Sequence, residues 1–583
     1  MWEKRKPISL LVFASLSSIA LAAAPAKAEL KYASQGAQWT QASRSDFYTR
    51  DQGARIMPFA WFKALKRADG SAFLDDGLTR YGYLPNPDSP TPGLPVGFLT
   101  ATENNVRTLS MTCSACHTRQ IEVNGVSWRI DGGPALSDFQ SLLADIDAAV
   151  DRVLKDGAAF DGFAKSVGAA SEEARQELRD DLQAWFAPYH ALMSKALPSP
   201  AWGVGRADAV SMIFNRVAGL DIGEPPTRII RDNIESANAP VRYPFVWNAP
   251  IQDTTQWPGF ARNGDDILGL ARNVGEVYGV FGVYRPTKSI LPDVINFLND
   301  SSLNYAGLQR LEILLKQIEP PKWPWPLDPA LVAKGEEIFH RAPKDGGCAT
   351  GCHEVATGAA RACNPSTWRT PIQDVGTDSK EYAVLAREAQ TGVLEGASLP
   401  FLPGLDTPLK SKDKIISILG LSVIGSILEA PLHFGLDVFR PIVEECLPIR
   451  PATPAALRAA VIEKMRQALE NTYRKPGEAP PPAYESRVMK GIWAAAPYLH
   501  NGSVPTLSDL LEPASKRPAS FKVGRAYDID KVGLAQEQPG LSSTYTADDC
   551  GKRDSGNSRC GHEFGVKLSA DEKKALLEYL KSL

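Results

Sequence analysis

Histidine is scarce in this chain. Seven histidines and seven methionines occur in 583 residues, so few imidazole or thioether side chains are available as metal ligands. A strong charge of one sign is missing too. Lys and Arg number 64 against 67 Asp and Glu, a net charge of −3, which argues against nucleic acid as a partner. No repeat of short fixed period appears, which excludes a solenoid. Long hydrophobic runs are few. The run over 8–24 follows Lys4, Arg5 and Lys6 and precedes Ala26-Lys27-Ala28. It reads as an export signal over residues 1–28, which points to the periplasm. The run over 415–428 contains glycines and serines and is followed by Glu429 and Pro431. It is short for a bilayer span and reads as a buried hairpin or insertion.

What the chain does have is Cys113-Ser114-Ala115-Cys116-His117. Two cysteines two residues apart, followed at once by histidine, form a covalent c-type haem motif. Each thiol adds to one vinyl group of the porphyrin, and the imidazole is offered to the iron. A second, irregular version occurs at Cys348-Ala349-Thr350-Gly351-Cys352-His353, with three residues between the cysteines. The expected cofactors are therefore two covalently bound haem c groups, held by Cys113, Cys116 and His117 and by Cys348, Cys352 and His353.

Four cysteines remain. Cys550 and Cys560 bracket a loop rich in Gly, Asp, Ser and Asn and form the expected disulfide. Cys363 and Cys446 pair by elimination only, and all four are alternatively free thiols. Of the remaining histidines, His500 and His562 stand in distinctive surroundings late in the chain, and either is a candidate sixth ligand at the second iron. His562 is favoured because it follows the Cys550–Cys560 loop and precedes the last helix. His190, His340 and His433 lie in stretches without other chemical signal. The first iron has no comparable second histidine and is expected to be open.

The pattern divides the chain after the signal into residues 29–320 and 321–583, separated by a segment with four prolines, Glu319-Pro320-Pro321-Lys322-Trp323-Pro324-Trp325-Pro326. Helical periodicity is visible near 45–65, as two or three amphipathic helices over 137–186, and over 331–339 and 568–583. The expected fold is mainly α, with two cytochrome c-like haem domains carrying extended loops and helical insertions. A helix before the second haem motif and a helix at the chain's end is the order of a cytochrome c domain, with Gly335 at the crossing.

Four segments carry a resemblance to the bacterial di-haem cytochrome c peroxidase superfamily, in particular its long branch containing the di-haem rubber oxygenases. Ser110-Met111-Thr112-Cys113 through His117 resembles the N-terminal haem site. Gln256-Trp257-Pro258-Gly259 is similar to a Phe-Trp-Asp-Gly segment whose tryptophan lies between the haems. Pro258 replaces the aspartate. Asn273-Val274-Gly275-Glu276 is similar to an Asn-Pro-x-Glu segment whose glutamate stands over the N-terminal haem. Tyr498-Leu499-His500-Asn501-Gly502-Ser503 resembles a Tyr-Phe-His-Asp-Gly-Ser motif. The resemblance implies a catalytic set of Glu276, Arg272 and Trp257. It also implies a small periplasmic electron donor, a cytochrome c or cupredoxin. The pocket over the N-terminal haem is apolar in the rubber-cleaving enzymes, whereas Arg272 and Glu276 would stand near it here. The expected activity is therefore peroxidase-like, reducing hydrogen peroxide with electrons passed from the C-terminal to the N-terminal haem. Two alternatives stand beside it: a dioxygen-dependent oxygenase cleaving an apolar unsaturated substrate, and a non-enzymatic electron-transfer cytochrome.

Overall fold

A β-hairpin stands on each side of the first haem motif. Phe98–Glu103 pairs antiparallel with Val106–Met111, and Thr118–Val123 with Val126–Asp131. Their two-residue turns are Asn104-Asn105 (φ 49° and 62°) and Asn124-Gly125 (φ 50° and 76°). Positive φ at both central positions gives a turn whose twist matches that of the strands, and Asn and Gly tolerate it best. The computed structural model describes residues 29–289, 294–358, 366–434, 453–470 and 483–583. The expected export signal and the Cys363–Cys446 pairing lie outside the described residues.

These hairpins belong to a pattern that corrects the mainly-α expectation. The described residues are 40% helical and 16% strand. The strands form many small sheets, none with more than three strands among the described residues. Short strands of this kind leave little hydrophobic periodicity, and their turn residues are the stronger local signal. The signal over 45–65 likewise resolves into two short helices, Gln41–Thr49 and Phe59–Ala64, with the strand Met57–Pro58 just before the second.

The longer helical expectations correspond to Phe139–Lys155, Gly157–Val167 and Glu172–Ala196, each begun by an Asp or Ser side chain that accepts a backbone N–H. Helices Pro329–Phe339 and Ala570–Ser582 cross at Gly335. A Cβ there would lie 2.1 Å from the Ala575 carbonyl oxygen, so only glycine admits this approach. The Cys550–Cys560 disulfide is formed.

The run over 415–428 is one helix, not a hairpin, and it continues through Glu429 and Pro431 to Phe434. At 20 residues it is long and apolar enough to cross a membrane, yet 61% of its apolar window is buried. It is the core neighbour of helix Asp266–Gly279. Tyr278 Oη lies 2.6 Å from Ser426 Oγ, and the Ser422 and Ser426 hydroxyls donate to carbonyls one turn back. Those bonds absorb the polar groups that made the run look interrupted.

The proline-rich segment is pinned by its tryptophans. Trp323 packs edge-on against Trp493 (5.2 Å) and Trp325 (4.7 Å), and Trp325 stacks on Tyr527 (6.3 Å). The indole of Trp493 donates to the Pro321 carbonyl at 2.9 Å.

Candidate functional site

Two cavities contain the two Cys-His motifs. The first is lined by Cys113, Cys116 and His117 together with Gln256, Trp257, Arg272 and Glu276. The second is lined by Cys348, Cys352, His353, His500 and His562. Trp257, Arg242 and Arg487 line both.

The cavity residues fit covalently held haem. All four motif cysteines are free thiols. His117 Nδ1 lies 2.9 Å from the Pro244 carbonyl and His353 Nδ1 lies 2.8 Å from that of Arg487. Each bond makes Nδ1 the donor and leaves Nε2 as the basic nitrogen, the form in which imidazole binds iron. Burial holds both rings neutral and pushes His117 down to about 4. The extra residue of the second motif is taken up by a kink at Thr350-Gly351, where Gly351 has φ 76°.

His562 stands 6.1 Å from His353, ring centre to ring centre. Its backbone is left-handed, φ 51°, and is fixed by an N–H to the Val375 carbonyl and a carbonyl that accepts from Arg517. Its Nδ1 is buried without a hydrogen-bond partner among the described residues. A buried polar atom left in this way is costly unless something else binds the ring. His500 is placed differently. It stacks on Tyr484 at 3.9 Å and meets Trp257 edge-on at 6.3 Å. Burial pushes both imidazoles down to about 3. His190 is half-exposed on helix Glu172–Ala196, against Asp147, and does not line the first cavity.

The first cavity is acidic where the second is imidazole-rich. Helix Asp266–Gly279, capped by Asp265, carries Arg272 and Glu276 one turn apart. Glu276 accepts a 2.5 Å bond from Gln256 Nε2, and burial raises its carboxyl above the usual range. Arg272 does not pair with Glu276. Its guanidinium is paired with Glu312 and also donates to Asn263 and Asn273. That pairing neutralises much of the charge expected to face an anion.

Trp257 is 5% exposed and lies between two cations. The guanidiniums of Arg242 and Arg487 are each 4.7 Å from its ring, and its indole N–H donates to the Arg242 carbonyl. Arg242, Arg487 and Gln256 carried no signal in the sequence, because their partners lie far along the chain or on other elements. Glu381 was missed as well. It lines the first cavity at 2% exposure with neither carboxylate oxygen bonded, and burial beside Asp208 holds its proton far above the usual range.

Residues 483–522, which contain Tyr484, Arg487 and His500, match the RoxA-like, cytochrome c-like family. The match relates the chain to RoxA-like di-haem cytochromes, implies haem c, and suggests a haem-based oxidoreductase. Over its whole length, the chain belongs to the family of an uncharacterised Sinorhizobium fredii protein, y4iJ. The two are 30% identical over 94% of this chain and 92% of that one. A second uncharacterised protein of the same organism, y4iM, is 26% identical over 68% of this chain and 74% of its own.

Proposed function

We propose that the protein is a periplasmic di-haem c oxidoreductase with peroxidase-like activity, taking electrons from a small cytochrome c or cupredoxin. One observation carries the reading: a buried carboxyl, Glu276, shares the first cavity with His117, while Trp257 lines both that cavity and the second. When bound, haem would supply the redox equivalents, held through Cys113, Cys116 and His117 in one cavity and Cys348, Cys352 and His353 in the other. His562 would hold the second haem's iron together with His353, and His500 packs edge-on against Trp257 and orients it.

In the first cavity Glu276 accepts a proton from the near oxygen of hydrogen peroxide and returns it to the far one, so that water leaves. Gln256 fixes the carboxyl through its 2.5 Å bond. Arg272, held by Glu312, orients the peroxide by hydrogen bonding rather than by full charge. Trp257 bridges the cavities.

Oxidation of a reduced cytochrome c by peroxide is the test. Glu276→Gln is expected to lower the rate by about 10²–10⁴-fold with the spectrum of the resting protein unchanged. Full activity in that variant would overturn the assignment. A second reading, oxygenation of an apolar unsaturated substrate with dioxygen, is favoured by the apolar remainder of the first cavity, including Met212, Ile213 and Val280. It predicts isotopic oxygen from dioxygen in a cleaved product, without added peroxide.

A further inference from the structure

We propose that a third cavity, behind the first redox centre, binds a small aromatic carboxylate carrying a ring hydroxyl. It is bounded by Trp185, Tyr189, Arg216, Asp221, Arg228 and Phe281. The proposal is independent of the activity assigned above.

The aromatic wall is built from nearly parallel rings. Trp185 and Tyr189 stack at 4.7 Å and 23°, and Tyr189 and Phe281 at 6.3 Å and 13°. They offer ring faces to a planar ligand. The cationic wall is Arg216 and Arg228. Arg216 donates to the carbonyls of Tyr278 and Gly282, Arg228 to that of Pro286, and neither is ion-paired with a carboxylate among the described residues. Arg55 and Arg285 also border the cavity, but Asp51 and Glu103 neutralise the first and Asp300 the second. Arg216 and Arg228 make no ion pair among the described residues and share only the field of the buried Asp221, so two guanidiniums beside a ring stack favour an anion, and their forked donors match a carboxylate.

Asp221 supplies the hydroxyl preference. It is 6% exposed, and its Oδ2 has no hydrogen-bond partner among the described residues. Burial pushes this carboxyl up to about 7, against the opposing fields of Arg216, Arg285 and Arg228. A group of this kind exchanges a hydrogen bond with a hydroxyl and does not repel the ligand's anion as a full charge would. The surrounding backbone is strained. Val217–Asp221 is a π-helical turn, and Arg228 (φ 57°) and Phe281 (φ 63°) are left-handed without being glycine. Such conformations cost energy and concentrate at binding sites. The cavity is also close to the redox centre, since Val280 lines the first cavity and the next residue, Phe281, lines this one.

Isothermal titration of the haem-loaded protein with 4-hydroxybenzoate, benzoate, toluene and acetate tests the site. Saturable 1:1 binding of 4-hydroxybenzoate is expected, with benzoate weaker and toluene and acetate at least about tenfold weaker. Arg228→Gln and Trp185→Leu should each weaken 4-hydroxybenzoate by about tenfold while the unfolding midpoint stays in place. Absence of saturable binding, equal affinity for acetate, or unchanged affinity in both variants would overturn the proposal. A Soret shift that tracks the isotherm would put the acid at an iron and overturn it equally.

Discussion

His117 shares its cavity with Glu276 and Gln256, whereas His353 has a second imidazole, His562, 6.1 Å away. One physical cause acts on both and produces opposite chemistry. Removal from water disfavours the charged form of any group, so burial shifts Glu276 toward its protonated form and His562 toward its neutral form, the latter down to about 3. A buried acid is a proton carrier, and a buried neutral imidazole is a ligand. The two sites diverge in role through which residue type was buried, without any difference in the principle that governs them.

The largest break in that comparison comes from removing one anchor. In Cys113→Ala/Cys116→Ala the intact mass should fall by one haem, and peroxide turnover should vanish while the second centre's spectrum persists. Loss of both haems, or of neither, would show that the cavities do not load independently. Next comes the choice between two histidines. His562→Ala should open the second iron to added imidazole, seen as a new ligand-exchangeable band, and His500→Ala should not. The reverse result would give the sixth position to His500.

A smaller effect is expected at the crossing under the second cavity. Gly335→Ala forces a methyl onto the Ala575 carbonyl and should cost about 1–3 kcal/mol in denaturant titration, as overpacking does. The second centre's spectrum should change before the first. The last is a pH slope from Asp221. Its carboxyl is at about 7 in the fold against 3.8 as its ordinary value, so the native state binds the extra proton between those limits and stability falls as pH rises through them. Asp221→Asn should remove a slope of at most about 1.4 kcal/mol per pH unit, leaving wild type and variant similar at pH 4 and the variant more stable at pH 8. Parallel pH curves for the two proteins would contradict that account of Asp221.

Local chemistry was legible in the sequence. Cys113 through His117, the Cys550–Cys560 bridge and the glycine at 335 each depend on neighbours in sequence or on one helix crossing. The two hairpins were not read from the sequence, although Asn104-Asn105 and Asn124-Gly125 are turn signals, because helical periodicity in the longer segments outweighed them. What the sequence did not disclose is partnership across the chain. Arg272 sits one turn from Glu276, and local spacing suggests that pair, yet tertiary packing gives the arginine to Glu312. Arg242 and Arg487 flank one indole from positions hundreds of residues apart, and no spacing rule connects them.

The segment with four prolines, at 319–326, would pass on paper for a hinge. With Trp323 and Trp325 wedged against Trp493 and Tyr527, and Pro321 hydrogen-bonded to Trp493, it behaves as a rivet. The gap that Trp257 spans is then a fixed length, not a time average. Traffic across that gap should run at the same rate in glycerol as in water, and solvent viscosity should slow only the arrival and departure of partners.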